Sequence, residues 1–377
     1  MTNKSRILIL TTSYLPSIGG SELAIREITK RLPDIDFDII TSRSDSQGRF
    51  AHERATEEII GNTHIYRVGN SFTLSHFLLP KNFFPISAFF KTMSLNRNFR
   101  YKIIHAYQAS QAGGAGWLFK MFHPRVKFLL TIQEGKNLKG QGWFLNLFRN
   151  MMIRSADSIT VISCYLKEYI SKINKRAPIT LIPNGVDISL FFPAHSKLND
   201  EPTIISVSRL VEKNGIADLI NAFTLVKKDI PTVRMVIVGD GPLQSALEKQ
   251  IRQLGLMGSI RLAGQVIYEE LPHYLVNADI FVRSSLSEGL GTAFLEAMAV
   301  GLPVIGTPVG GIPDIIKDGQ TGLICQAGDP KDIADKIKTL LNDLGLRKRL
   351  SENGCRMVSE KYSWGQIASQ FSTIYHG

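Results

Sequence analysis

The chain has 377 residues, 44% apolar and 20% charged, with 31 Gly and 16 Pro; Lys and Arg number 44 against 33 Asp and Glu, a formal net charge of +11. This composition excludes a disordered, fibrous or membrane-spanning chain, and the length suggests two domains, each with its own core. The surplus of cations calls for an anionic partner, whether nucleic acid, a membrane surface or a phosphorylated substrate.

RILILTTS (6–13) predicts a buried strand, followed by a Pro- and Gly-containing turn and a helix over residues 21–32. The opening segment enters that polar turn directly, without the apolar stretch and small-residue cleavage site of a signal peptide, and no apolar run reaches the roughly 20 residues a membrane helix needs. FDIITS (37–42), KIIHAY (102–107), KFLLTI (127–132) and SITVIS (158–163) are further apolar runs, and the last three each precede a helix-length segment. Such alternation implies a parallel sheet covered on both faces. ITLIPNGVDISLFFP (179–193) and the polar stretch to Pro202 break the pattern and read as an inter-domain connection. A second alternating set follows: TIISVS (203–208), VRMVIVG (233–239), SIRLAG (259–264), DIFVRSS (279–285), PVIGT (303–307) and GLICQ (322–326), then helices from Pro330 to Tyr375. The pattern predicts two doubly wound α/β domains facing each other, over 1–185 and 186–360, with ligands expected between them. Cys164, Cys325 and Cys355 are too few and scattered for a disulfide framework or a C-x-x-C metal site, which fits a reducing, cytoplasmic setting.

The charge is unevenly placed. Residues 1–180 hold 25 Lys or Arg and 12 Asp or Glu, a balance of +13, whereas 181–377 hold 19 and 21. Between Glu58 and Asp157 the one acid is Glu134, among thirteen basic residues, and seven of the 20 Phe lie between Phe72 and Phe99, interleaved with Lys81, Lys91 and Arg97. Cations beside Phe and Leu suit a helix or loop lying on an anionic bilayer, and also stacking on single-stranded nucleic acid. An ordinary core with a solvated basic face is the plain alternative, though it explains the long absence of acids less well.

Three segments carry chemistry. SSLSEGLGTAFLEAMAVGLPVIGTPVGGIPDII (284–316) sets Glu288 after a strand end, lets Gly289 and Gly291 turn tightly, and offers Thr292 as the cap of a helix bearing Glu296. Helix-start amides receive phosphate oxygens, and a carboxylate farther along accepts two hydrogen bonds from a ribose diol. SVSRLVEKNG (206–215) places Arg209 at a strand end and Lys213 in the loop beyond, two cations suited to neutralising a diphosphate leaving group without a metal ion. Near the N-terminus, Gly19 and Gly20 precede a helix and permit close approach of a substrate, but they do not form a dinucleotide fingerprint. DIDFD (34–38) contains D-x-D, yet it runs straight into a strand with no neighbouring His or Glu and reads as a turn and strand edge.

These segments, with LIPNGVD and VGDGP, resemble the retaining glycosyltransferases of family 4, of the GT-B fold, over nearly the whole chain. The resemblance implies a metal-independent transferase needing no cofactor, in which Arg209 and Lys213 stabilise the leaving diphosphate and Glu288 positions the sugar. Gly19, Gly20, Val266, Gly289, Leu290, Gly291, Thr292, Ala293 and Glu296 would contact the donor, a UDP- or GDP-sugar, with domain closure excluding water and the segment 361–377 packing back on the first domain. One departure stands out: after KFLLTI the family commonly has His, where this chain has Gln133 followed by Glu134. Gln exchanges no proton near neutral pH, so a histidine acid/base at that place is excluded. Gln133 is carried as the residue facing the reaction, with His105 and Glu134 as acceptor-side candidates. The expected partners are a glycan or lipid-linked acceptor and an anionic membrane surface at the inner face of the cell membrane, with nucleic acid last. An epimerase or phosphorylase on the same fold is the alternative within the class, and a non-catalytic, basic nucleic-acid-binding protein is the lesser alternative outside it.

Overall fold

The computed structural model describes residues 4–16, 19–43, 55–69, 84–133, 142–194 and 201–376. The chain divides into two compact units, Met1–Asn184 with Trp364–Gly377, and Gly185–Ser363. The chain thus crosses between units at Asn184/Gly185 and again at Ser363/Trp364.

The first unit alternates β1 (Ser5–Leu10), α1 (Gly20–Lys30), β2 (Ile35–Ser42), β3 (Glu57–Ile60), β4 (Thr63–Val68), α2 (Phe84–Phe99), β5 (Ile103–Tyr107), α3 (Gln111–Phe122), β6 (Lys127–Ile132), α4 (Trp143–Ser155), β7 (Ser158–Val161), α5 (Cys164–Ser171) and β8 (Ile179–Leu181). Its eight strands run β3-β4-β2-β1-β5-β6-β7-β8. All ladders are parallel except β3 with β4. Ile7, Leu8, Ile9 and Leu10 are all buried, as a central parallel strand covered on both faces requires. The edge strand β3 is short, exposed along its length and led by Glu57 and Glu58, which discourages further strand pairing.

The second unit runs β9 (Thr203–Val207), α6 (Ile216–Asp229), β10 (Arg234–Val238), α7 (Gln244–Gln253), β11 (Ile260–Gly264), α8 (Leu271–Val276), β12 (Ile280–Arg283), α9 (Thr292–Ala299), β13 (Val304–Gly306), α10 (Ile312–Ile315), β14 (Leu323–Ile324), α11 (Pro330–Asn342) and α12 (Leu344–Lys361). Its six strands are ordered β11-β10-β9-β12-β13-β14, all parallel. The helices form for local reasons. In α11, Asp329 accepts hydrogen bonds from the Lys331 and Asp332 amides, Pro330 opens the first turn, and Ile333, Ile337 and Leu340 bury one face. Because the chain steps outward from β9 to β11 and then returns to β12, the loops after β9 and β12 diverge and open a crevice at the carboxyl edge of the sheet.

The final helix, α13 (Trp364–His376), belongs to the first unit and packs on α1. Its Tyr375 hydroxyl lies 2.8 Å from His105 Nδ1, while His105 Nε2 lies 2.6 Å from Thr131 Oγ1. The imidazole is 0% exposed. Burial pushes its pKa down to about 3, so the ring is neutral, accepting at one nitrogen and donating at the other. His105 is therefore a strut beneath α13, and it leaves the acceptor group in which the sequence placed it. Tyr375→Phe leaves a buried ring nitrogen unpartnered, and urea unfolding should show a loss of about 1–3 kcal/mol. Among the described residues no helix is long and apolar enough to cross a membrane.

Candidate active site

The crevice between β9 and β12 brings Arg209 and Lys213 together with Glu288 and the segment 289–296, but not Val266, which lies past β11, nor Gly19 and Gly20, which belong to the first unit. Arg209, just past β9, is exposed, and its carbonyl accepts a hydrogen bond from Asn214 Nδ2 at 2.7 Å. Lys213 is half-buried in the following 3-10 turn, and its carbonyl accepts from the Leu286 amide at 2.7 Å and the Ser287 amide at 3.3 Å. The two loops are thereby joined across the switch point. Gly215 completes the junction: at φ +63° it lies so close that a Cβ would stand 2.1 Å from the Ser284 carbonyl oxygen, and Ser284 Oγ donates to the Gly215 carbonyl at 2.8 Å.

Both glutamates are withdrawn from solvent. Glu288 Oε2 pairs with Arg283 Nη2 at 2.5 Å, and Glu288 Oε1 accepts from the Gly289 amide at 2.9 Å. Glu296 is 6% exposed. Desolvation pushes its carboxyl up to about 7 from an ordinary 4.5, against the pull of the Tyr268 hydroxyl and the Arg283 guanidinium. The cap differs from the sequence expectation. Gly291, at φ +90°, is the residue before α9, Thr292 is its first residue, and no side chain caps it. A left-handed backbone favours Gly at that turn, so Thr292 is displaced into the helix and its hydroxyl is not the cap. The helix-start amides of Thr292 and Ala293 thus lie beyond a glycine turn, with Leu290 buried beneath and Gly289 bound to Glu288. Val266 is half-buried past β11.

Gly310 braces the whole loop. At φ +57°, its Cβ position lies 1.7 Å from the Glu288 carbonyl oxygen. Gly310→Ala combines strain with a backbone collision that no rotamer relieves, and a loss of at least about 2 kcal/mol is expected in thermal unfolding.

A second group forms in the first unit. Gln133 Nε2 donates to Asn184 Oδ1 at 3.1 Å, and Asn184 Nδ2 donates back to Gln133 Oε1 at 3.3 Å. Asn184 is buried, and its amide nitrogen would lie 3.7 Å from a Cβ at Gly20. Gly20 is the first residue of α1 and Gly19 precedes it, so Gln133, Asn184 and the glycine pair meet at the head of that helix. Glu134 and the stretch 72–83 of the Phe-rich segment lie outside the described residues. Of the D-x-D segment, Asp36 and Asp38 sit within β2 and Asp34 just before it: Arg6 reaches Asp36 at 3.1 Å and Asp38 at 3.4 Å, Tyr101 donates its hydroxyl to Asp38, and Asp38 is fully buried. Among the described residues no three His, Cys, Asp or Glu form a metal-holding group.

Sequence reasoning missed Arg283, Asn214, Tyr268 and Asn184 as members of these groups. Arg283 pairs with Glu288, lies 3.4 Å from Asn214 Oδ1 and offsets the burial of Glu296. A cation ending the otherwise apolar strand IFVR (280–283) was the available signal.

The sequence and the fold have known counterparts. Residues 187–357 match the family model described as Glycosyl transferases group 1, and residues 18–190 match that of Glycosyltransferase Family 4. An uncharacterized glycosyltransferase of Methanocaldococcus jannaschii is 28% identical over 376 residues, 98% of this chain and 97% of the relative. The GDP-mannose-dependent alpha-(1-6)-phosphatidylinositol monomannoside mannosyltransferase of Mycobacterium tuberculosis is 28% identical over 257 residues, 63% of this chain and 67% of the relative. Anabaena HepE, solved in complex with UDP and glucose, aligns with a TM-score of 0.80 at 20% identity, covering 98% of this chain and 99% of that one. The two family models together take in every strand of both sheets except β1, and both groups of residues described above, and the chain belongs to the group 1, family 4 glycosyltransferases, with the GT-B fold.

Proposed function

We propose that this glycosyltransferase moves a hexose from a UDP- or GDP-sugar to a lipid-linked saccharide at the inner face of a membrane, with retention of anomeric configuration and without a metal ion. The observation that carries the reading is the junction at the β9/β12 switch point, where the Arg209–Lys213 loop is hydrogen-bonded to the loop that leads into Glu288 and α9. Arg209 and Lys213 would neutralise the diphosphate, with the α9 amides receiving its oxygens. Glu296 would accept the ribose diol and Glu288 would orient the sugar. The bond from the anomeric carbon to the phosphate oxygen breaks, a bond to the acceptor oxygen forms on the same face, and the acceptor proton passes to the departing phosphate. That last transfer requires no protein base, in keeping with Gln133, an amide, where the family commonly has His. The donor type and the lipid acceptor are supported by the mycobacterial relative, whose name specifies GDP-mannose and a phosphatidylinositol mannoside.

The reading is tested by incubating the protein with nucleotide-sugars and a lipid-linked acceptor in the presence of a chelator, and determining the anomeric configuration of the product by NMR. An axial donor should give an axial product at an undiminished rate. Inversion, chelator sensitivity, or turnover of the donor without any dependence on acceptor would overturn it, the last in favour of an epimerase or phosphorylase.

A further inference from the structure

The first unit carries an apolar surface that the transfer chemistry does not use. Trp143 is 78% exposed at the start of α4, and Leu147 and Met151 follow at spacings of four, so the three lie along one side of the helix. Phe122, at the end of α3, and Phe90, on α2, are each 65% exposed. These helices form one continuous surface: Phe89 of α2 contacts Phe122 at 5.5 Å between ring centroids, and Trp117 of α3 meets Phe148 of α4 edge-on at 6.4 Å. Exposed apolar groups concentrated in this way mark an interaction site.

The charges around this surface identify its partner. The sequences of α2, α3 and α4 contain no Asp or Glu. Arg97 on α2, Arg125 just past α3 and Arg154 on α4 are exposed. Arg154 follows Met151 by three residues, on the side of the helix that presents Trp143 and Leu147. A second copy of the chain docking through this face by a two-fold axis would set each cationic rim against its twin, which like charges oppose. A surface of anionic lipid complements both parts, taking Trp, Leu and Met side chains at its acyl boundary and the Arg side chains among its headgroups.

We infer that the exposed face of α2, α3 and α4, led by Trp143 and rimmed by Arg125 and Arg154, docks on an anionic lipid bilayer. The inference deepens the lipid-linked acceptor reading above and rests on it for the purpose the contact serves. Its test is separate from that reading. Sedimentation with vesicles of phosphatidylcholine and phosphatidylglycerol should bind the wild-type protein at least about tenfold more tightly than phosphatidylcholine alone, with Trp fluorescence shifting to the blue and the binding weakening as salt rises. Two double variants, Trp143→Ala with Leu147→Ala and Arg125→Glu with Arg154→Glu, should each lower binding by at least about tenfold. All four side chains are exposed, and the thermal stabilisation of each variant by a nucleotide-sugar should match wild type, showing that the fold and the donor site are intact. Unchanged vesicle binding in either variant, equal binding to neutral vesicles, a wild-type dimer that the Trp143/Leu147 variant dissolves, or retention on single-stranded DNA in place of vesicles would overturn the inference. Loss of nucleotide-sugar stabilisation in the wild type would strike the transferase reading and leave the surface standing.

Discussion

Arg209→Ala should lower kcat for sugar transfer by about 10²- to 10³-fold, the usual effect of removing one preorganised group from developing negative charge. As the glycosidic bond breaks, charge accumulates on the diphosphate, and a cation fixed at the sheet edge stabilises that state more than the ground state. The Arg209 backbone is held by Asn214 at 2.7 Å while its side chain remains exposed, so the variant should unfold at the wild-type temperature. Arg209→Lys should recover only part of the rate, because a point charge does not reproduce the two-pronged contact of a guanidinium with phosphate. Steady-state kinetics with a saturating donor decides the matter, and an undiminished kcat in Arg209→Ala would remove leaving-group stabilisation from this residue.

Glu296→Ala should raise the donor dissociation constant at least about 100-fold, since two charge-assisted hydrogen bonds to a diol are lost together. The wild-type carboxyl adds a pH signature. Its pKa in the unliganded protein is about 7 against an ordinary 4.5. Between those values the unfolded chain has released the proton and the folded protein retains it, so stability falls as pH rises through the window and the loss is complete above about 7. The shift corresponds to about 3 kcal/mol. Glu296→Gln, which imitates the protonated acid, should therefore gain on wild type by up to that amount between pH 4.5 and pH 8 in urea unfolding. A donor that binds the ionised carboxylate must expel the proton, so wild-type affinity should weaken by up to about tenfold per pH unit below 7. Calorimetric titration across pH reads this directly, and a donor affinity flat from pH 5.5 to 8 would exclude a diol-binding role for Glu296.

Much of this architecture is legible in the sequence because buried parallel strands are apolar on both faces. RILIL, TIISV and MVIV admit few other readings, and their spacing reveals the alternation. The strands that escape notice lie at the edges or next to one: EEII is an edge strand, charged and exposed along its length, THIYRV beside it is partly polar, and ITL at the other edge is three residues embedded in a connection. Within the site, Arg209 and Glu288 stand out as charged groups just past apolar strands, Lys213 as a second cation in the loop beyond, and Glu296 as the one acid in the apolar helix TAFLEAMA. Their supports do not. Whether Arg283 faces Glu288, or Asn184 faces Gln133, depends on side-chain positions between segments far apart in the chain, which local periodicity does not contain. The same gap explains His105. A histidine near the end of an apolar run admits either proton transfer or the commoner structural hydrogen bond, and the packing of α13 across β5 decides for the second by committing both ring nitrogens. Thr292 illustrates a finer limit, since the choice between a threonine and a glycine one residue earlier turns on a single backbone angle.

The most direct measurement is thermal unfolding of the wild-type protein against a panel of UDP- and GDP-sugars, repeated with Arg209→Ala and Glu296→Ala. A ligand selective for the folded state raises its stability by mass action, by about 2.7 kcal/mol at one hundred times its dissociation constant. At least one member of the panel should raise the wild-type unfolding temperature, and the rise should vanish in Glu296→Ala and shrink in Arg209→Ala. A panel that leaves the wild type unmoved, or a shift that survives intact in Glu296→Ala, would contradict a donor site at the β9/β12 crevice.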